Sequence, residues 1–83
     1  NWLIEARQMS LRDDIASLKG RVETVGEDGR FDVRLDNGLL VSSRLDRGMR
    51  RWNVQVHVAD RVTVEYPERS PDRARIVFRH LEG

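Results

Sequence analysis

The tripeptide Asp36-Asn37-Gly38 limits the fold of this chain more than any other stretch. Asn-Gly tolerates the positive φ angles of a type I′ turn, the two-residue connection whose twist suits two antiparallel strands. The flanking residues agree. Phe31, Val33 and Leu35 alternate with Asp32, Arg34 and Asp36, the period of a strand buried on one face. Leu39 to Arg44 supplies the returning strand. A second hairpin precedes this one, in which Arg21-Val22-Glu23-Thr24-Val25 alternates and Gly26-Glu27-Asp28-Gly29 turns. The pattern predicts a meander of three antiparallel strands.

Beyond residue 53 the alternation resumes. Val54, Val56 and Val58 alternate with Gln55 and His57 until Ala59-Asp60 breaks the run. Arg61-Val62-Thr63-Val64-Glu65-Tyr66 then reads as a fourth strand. Pro67 to Asp72 carries both prolines and reads as a loop. Arg73 to Arg79, with Ile76 and Phe78 on one face and Arg75, Val77 and Arg79 on the other, reads as a fifth strand. Three strands, an interruption and two more is the order of an all-β, five-stranded Greek-key OB-fold barrel. Its predicted core is Phe31, Val33, Leu35, Val41, Val62, Val64, Ile76 and Phe78, with Met49 as a plug beneath the third connection. Closing the sheet also removes the edges that invite aggregation.

The beginning of the chain has a different period. Ile4, Leu11, Ile15 and Leu18 fall at helical spacings, and Ser10 followed by Asp13 resembles an N-cap with an acidic first turn. A helix is therefore expected from about Leu11 to Leu18. The division predicted is a short N-terminal helical extension over 1–18 and a barrel domain over 19–83. The start at Asn1 rather than methionine reads as a fragment or a processed product.

Several functions are excluded at this level. The chain is 83 residues long, enough for one small core. There is no cysteine, hence no disulfide framework and no thiolate chemistry. No apolar run approaches the roughly 20 residues of a membrane span, and no basic segment leads into the apolar run of a signal peptide. His57 and His80 lack carboxylates at ligand spacing, so no metal site is expected. Glu23, Glu27, Asp28 and Asp32 cluster around the first hairpin and read as solvated turn residues. With no phosphate-cradling glycine loop and no nucleophile–base signature, the chain is read as neither an enzyme nor a cofactor binder.

Charge points the other way. The net charge is only +1, yet Arg44-Leu45-Asp46-Arg47-Gly48-Met49-Arg50-Arg51-Trp52 sets four arginines against one aspartate. Fourteen of the fifteen basic residues are arginine, whose planar fork grips phosphate and stacks on bases. Arg44, Arg47, Arg50 and Arg51 are therefore candidate phosphate contacts, Trp52 is a candidate stacking platform or a cap on the barrel end, and Arg75 and Arg79 would extend the basic surface.

Gly20-Arg21-Val22, Phe31-Asp32-Val33-Arg34-Leu35-Asp36-Asn37-Gly38 and Met49-Arg50-Arg51 stand in a familiar order and spacing. Asp60-Arg61-Val62-Thr63-Val64-Glu65 and Arg75-Ile76-Val77-Phe78-Arg79 complete it. Together, without a gap from Lys19 to Arg79, they resemble bacterial translation initiation factor one. The resemblance implies an OB-fold protein of the bacterial cytoplasm, or of an organelle, that works without catalysis. It implies binding to the small ribosomal subunit near the aminoacyl (A) site through ribosomal RNA, with ribosomal proteins and other initiation factors as partners. Arg50 and Arg51 match the family's basic pair after methionine, Arg44 stands where histidine is usual, and Arg75 and Arg79 match arginines. Arg47-Gly48 stands in place of Gly-Lys, Trp52-Asn53 in place of an asparagine and a tyrosine, and Gln55 in place of an arginine. Such changes are those of a divergent paralogue. Two other readings stay open: a general single-stranded RNA-binding OB module or RNA chaperone, and a protein-interaction module using the N-terminal helix. Oligomeric state is not legible.

Overall fold

The computed structural model describes residues 14–81. In chain order the elements are β1 (Ile15–Val25), β2 (Arg30–Leu35), β3 (Leu40–Leu45), a short helix α1 (Arg47–Arg51), β4 (Arg61–Pro67), a 3-10 turn (Pro71–Arg73) and β5 (Ala74–His80). The strands close into a barrel in the order β1-β2-β3-β5-β4. All neighbours are antiparallel except β3 and β5, which run parallel where Ser43, Arg44 and Leu45 face Ala74, Arg75 and Ile76. This is the expected five-stranded barrel.

Closure depends on β1 serving two partners. Its first part, Ile15 to Arg21, pairs with β4, and its second, Gly20 to Val25, pairs with β2. Gly20 stands in both ladders, opposite Val62 on one side and Leu35 on the other. A Cβ there would lie 2.7 Å from the Arg34 carbonyl oxygen and 2.8 Å from Val33 Cγ1. Only glycine permits that approach.

The helix expected over Leu11–Leu18 is corrected where the structure describes it. Residues 15–18 are strand, facing Pro67, Tyr66, Glu65 and Val64. Ala16 and Leu18 pack against the core at a spacing of two, while Ile15, Ser17 and Lys19 face outward. Ile15 and Leu18 alone also fit a helical period, and so short a run does not separate the two. The barrel thus starts at Ile15 rather than Lys19. Asp14 is not helical either, and its carbonyl accepts from the Glu68 N–H at 2.9 Å. The rest of the expected helix and extension, residues 1–13, lies outside the described residues.

The Asn-Gly hairpin forms with a different turn. The Gly38 N–H donates to the Leu35 carbonyl at 2.9 Å, the Leu35 N–H donates to the Leu39 carbonyl at 2.8 Å, and the Leu39 N–H donates to Asn37 Oδ1 at 3.0 Å. Gly38 has φ 92°, whereas Asn37 stays out of the positive region that a type I′ turn demands of both central residues. The result is a three-residue loop with a glycine bulge.

Of the predicted core, Phe31, Val33, Leu35, Val41, Val62, Val64 and Ile76 are buried, as is Met49; Val22, Val56, Tyr66 and Ala74 join them. Ser43 is also buried, its hydroxyl donating to the Phe31 carbonyl at 3.0 Å. Phe78 is not core: it is 57% exposed. The cause is a β-bulge, since Val64 faces Ile76 but the preceding Thr63 faces Phe78, leaving Val77 unpaired. One extra residue reverses the phase of the strand, so Phe78 joins the outward face.

Candidate nucleic-acid interface

The barrel wall itself begins the basic surface. Arg30 on β2 stands directly opposite Arg44 on β3, and Arg44 stands opposite Arg75 on β5. Their neighbours Phe31, Ser43, Ala74 and Ile76 point inward, so all three arginines share the outer face. Adjacent strands lie about 4.8 Å apart, which sets three guanidinium stems in a row across the sheet.

Helix α1 adds to one side of this row. Asp46 caps it, Oδ2 accepting from the Gly48 N–H at 3.2 Å, and Met49 anchors it in the core. The helix then ends on Asn53, whose φ of 56° lets its N–H reach the Arg50 carbonyl at 3.1 Å and the Val54 N–H reach the Met49 carbonyl at 3.0 Å. These two bonds form a Schellman motif, in which asparagine is a favoured substitute for glycine. With Met49 inward, Arg47 and Arg50, three positions apart, lie on one side of the helix. The 3-10 turn brings Arg73 and Asp72 to the opposite rim. Together these elements enclose an open cleft of about 360 Å³ whose lining includes Arg30, Arg44, Arg47, Arg50, Arg73 and Arg75, with Asp72 as its one carboxylate.

Little neutralises this charge. Asp46 Oδ1 lies 3.6 Å from Arg75 Nη1. Among the described residues no carboxylate lies within ion-pair distance of the other five, and Arg30 Nη1 donates to the Ser42 hydroxyl at 3.2 Å. Like charges held opposite one another destabilise a sheet.

The candidate residues therefore divide. Arg44, Arg47, Arg50 and Arg75 meet in the cleft. Arg51 is exposed on α1 but does not line it. Trp52 is 79% exposed, so it does not cap the barrel end. Arg79 and Arg75 do not share a face as the strand pattern suggested, because the bulge at Val77 intervenes. Arg79 faces inward opposite Val62, and its Nη1 donates to the Gln55 carbonyl, clamping the loop that follows α1. Two cleft residues were not foreseen. Arg30 was legible in principle, since the hairpin register sets it across from Arg44. Arg73 was not, because only the parallel β3–β5 seam brings its turn near.

On the other side of α1, Met49, Val54, Val77, Phe78 and Leu81 line an apolar groove. The Phe78 and His80 rings meet edge to face at 4.9 Å. At the hairpin tip, Asp36 receives both Arg61 Nη1 and Nη2, at 3.0 and 3.1 Å. The Arg61 hydrogen bonds hold the Asp36 carboxyl below its ordinary range; desolvation opposes them, and the charges of Arg61, Lys19 and Arg21 reinforce them. Among the described residues no three His, Asp or Glu side chains converge as a metal site would require, and no helix is long and apolar enough to cross a membrane.

A closed five-stranded barrel with arginines gathered in one cleft defines an OB-fold protein with a strongly basic surface. No family model matches the chain. A translation initiation factor IF-1 from Chlamydia trachomatis is 39% identical over 72 residues, covering 87% of this chain and 99% of the relative. One from Burkholderia pseudomallei is 36% identical over 71 residues, covering 86% and 81%. The solution structure of the same initiation factor from a Wolbachia endosymbiont of Brugia malayi superposes with a TM-score of 0.68 at 27% identity, covering 86% of this chain and 83% of that one. The chain belongs to the translation initiation factor IF-1 family.

Proposed function

We propose that the chain is an RNA-binding translation initiation factor of the cytoplasm that docks on the small ribosomal subunit near the aminoacyl site, by binding alone and without catalysis. The observation that carries this reading is the cleft, where six arginines from β2, β3, α1, the 3-10 turn and the start of β5 come together. Guanidinium groups give affinity and orientation on a phosphate backbone, with little sequence choice of their own. Arg51 and Trp52, exposed just beyond the cleft, extend the footprint; an indole stacked on an unpaired base contributes about 1–3 kcal/mol. Arg79 acts one step back, holding the loop after α1 in place. Ribosomal proteins and other initiation factors are the further partners that this role entails.

Recovery of small subunits by the chain and by an Arg50→Glu, Arg51→Glu variant tests the reading. The native chain should retain them in a salt-sensitive manner and compete with an aminoacyl-site ligand, and the variant should lose them. Equal recovery by both forms removes the basic pair from the mechanism. The exposure of Phe78 together with Trp52 favours a second reading, a general single-stranded RNA binder or chaperone, because aromatics on the surface stack on any base. Equal affinity for unrelated RNAs, without preference for the small subunit, would decide for it.

A further inference from the structure

The row Arg30–Arg44–Arg75 differs from a basic loop in one physical respect: the sheet ladder holds its three members side by side. A solvated loop lets like charges move apart. Here Arg30 and Arg44 are opposite residues of one ladder and Arg44 and Arg75 of the next. The Ser42 hydroxyl further orients Arg30 by accepting from Nη1. Arg75 has Asp46 at 3.6 Å, and its β4 neighbour is Glu65. Arg30 and Arg44 have no such relief among the described residues. The row is also concave, because Arg47 and Arg50 rise on one rim and Arg73 on the other, around about 360 Å³. Asp72 is the one carboxylate in the lining, against six arginines. A concave, preorganised set of forked donors with that excess of positive charge suits a compact anion of high charge better than one isolated phosphate.

We propose that this cleft is a seat for two adjacent phosphates, gripped across the sheet by Arg30, Arg44 and Arg75, with Arg30 as the member that the loop between β3 and β4 does not supply. The shared ligand chemistry is two phosphate groups held close together. Two sources present it: consecutive phosphates of a bent RNA strand, separated by a ribose, and the directly joined phosphates of free pyrophosphate or a nucleotide tail. The RNA source rests on the reading of this face as RNA-binding; the anion chemistry does not. No bond is made or broken. Arg44 lies centrally and reaches both phosphates, while Arg30 and Arg75 each hold the outer oxygens of one. Filling the seat also relieves the repulsion between Arg30 and Arg44.

The test uses the full chain at constant ionic strength in chloride buffer, titrated calorimetrically with inorganic pyrophosphate and, separately, by anisotropy with a labelled single-stranded RNA. The variants are Arg30→Gln, which keeps a donor for Ser42, and Arg34→Gln, on the same strand but paired to Glu23 outside the cleft. Arg30→Gln should weaken at least one ligand about tenfold, the size expected of a lost charge-assisted hydrogen bond, and Arg34→Gln should weaken neither. Loss of pyrophosphate affinity with RNA affinity intact establishes the seat and makes the free anion its ligand. Loss of RNA affinity without any pyrophosphate binding establishes it with the RNA backbone as the source. Unchanged affinity for both ligands in Arg30→Gln, or binding of neither by the native chain, overturns the proposal, whatever the small-subunit recovery shows. A melting scan in phosphate-free buffer separates binding from folding: Arg30→Gln should melt no lower than the native chain, because removing one of two opposed cations relieves strain. A lower melting temperature assigns Arg30 a packing role and also overturns it.

Discussion

Gly20→Ala is the perturbation that most directly tests how the barrel closes. The added methyl would meet the Arg34 carbonyl oxygen at 2.7 Å and Val33 Cγ1 at 2.8 Å, both shorter than carbon atoms tolerate. Neither obstacle is the free end of a flexible side chain, since one is backbone in the β1–β2 ladder and the other is a buried core valine. Overpacking at such a site costs about 1–3 kcal/mol, and rigid neighbours argue for the upper half of that range. The lower chain entropy of alanine in the unfolded state offsets about 0.4–1 kcal/mol. A net loss of about 2 kcal/mol, at roughly 4–8 °C per kcal/mol for a domain of this size, lowers the melting temperature by about 8–16 °C. Thermal unfolding followed by circular dichroism reads this directly. A variant that melts within a degree or two of the native chain would refute the close approach of β1 to β2, and with it the sharing of Gly20 between two ladders.

Three further outcomes follow from the same geometry. If the Arg30–Arg44–Arg75 row holds two phosphates of a single strand and Arg47, Arg50 and Arg73 hold one each, log K should fall with log salt at a slope of about −3.5, near 130-fold between 50 and 200 mM; a slope shallower than −1 contradicts the interface. Ile76→Ala should cost about 2–5 kcal/mol in denaturant unfolding because the side chain is buried, whereas Phe78→Ala, on the exposed face, should cost far less. Asp36 is held ionised by Arg61, and a carboxyl with a lowered folded pKa stabilises above its unfolded value and loses that contribution as pH falls through the folded one. Asp36→Asn should therefore melt lower than the native chain near neutral pH, and the gap should narrow as pH falls below the ordinary Asp value of 3.8 and close once folded Asp36 takes up its proton. A gap that persists unchanged at acid pH would remove the ion pair as its cause.

The strand order was legible because β2 to β5 are short and bounded by turn residues, and the second half of β1 alternates. Phe31, Val33 and Leu35 on β2 and Val62 and Val64 on β4 needed nothing beyond a period of two. Three features escaped for physical reasons. Ile15 and Leu18 satisfy a helical and an extended period at once, and only pairing with β4 chooses between them. The Val77 bulge leaves no mark in composition, so Phe78 and Arg79 were each assigned the wrong face. Gly38 alone took the positive φ that the Asn-Gly pair was expected to share. Of the cleft, the loop arginines were legible as charge, but their company was not. Arg73 joins them through a parallel pairing that no local pattern announces.

That parallel pairing also governs when the basic cleft comes into being. The seam between β3 and β5 is three residues long and joins segments roughly thirty positions apart. Hairpins such as β2–β3 close small loops and form early, whereas a contact of this span waits for the intervening chain to be ordered. Arg30 and Arg44 meet as soon as their hairpin does, but Arg73 and Arg75 arrive only when the seam shuts. A nascent or half-folded chain consequently carries the same charges without the cleft. Its arginines are then dispersed instead of convergent, and the concave surface certifies that the barrel is complete.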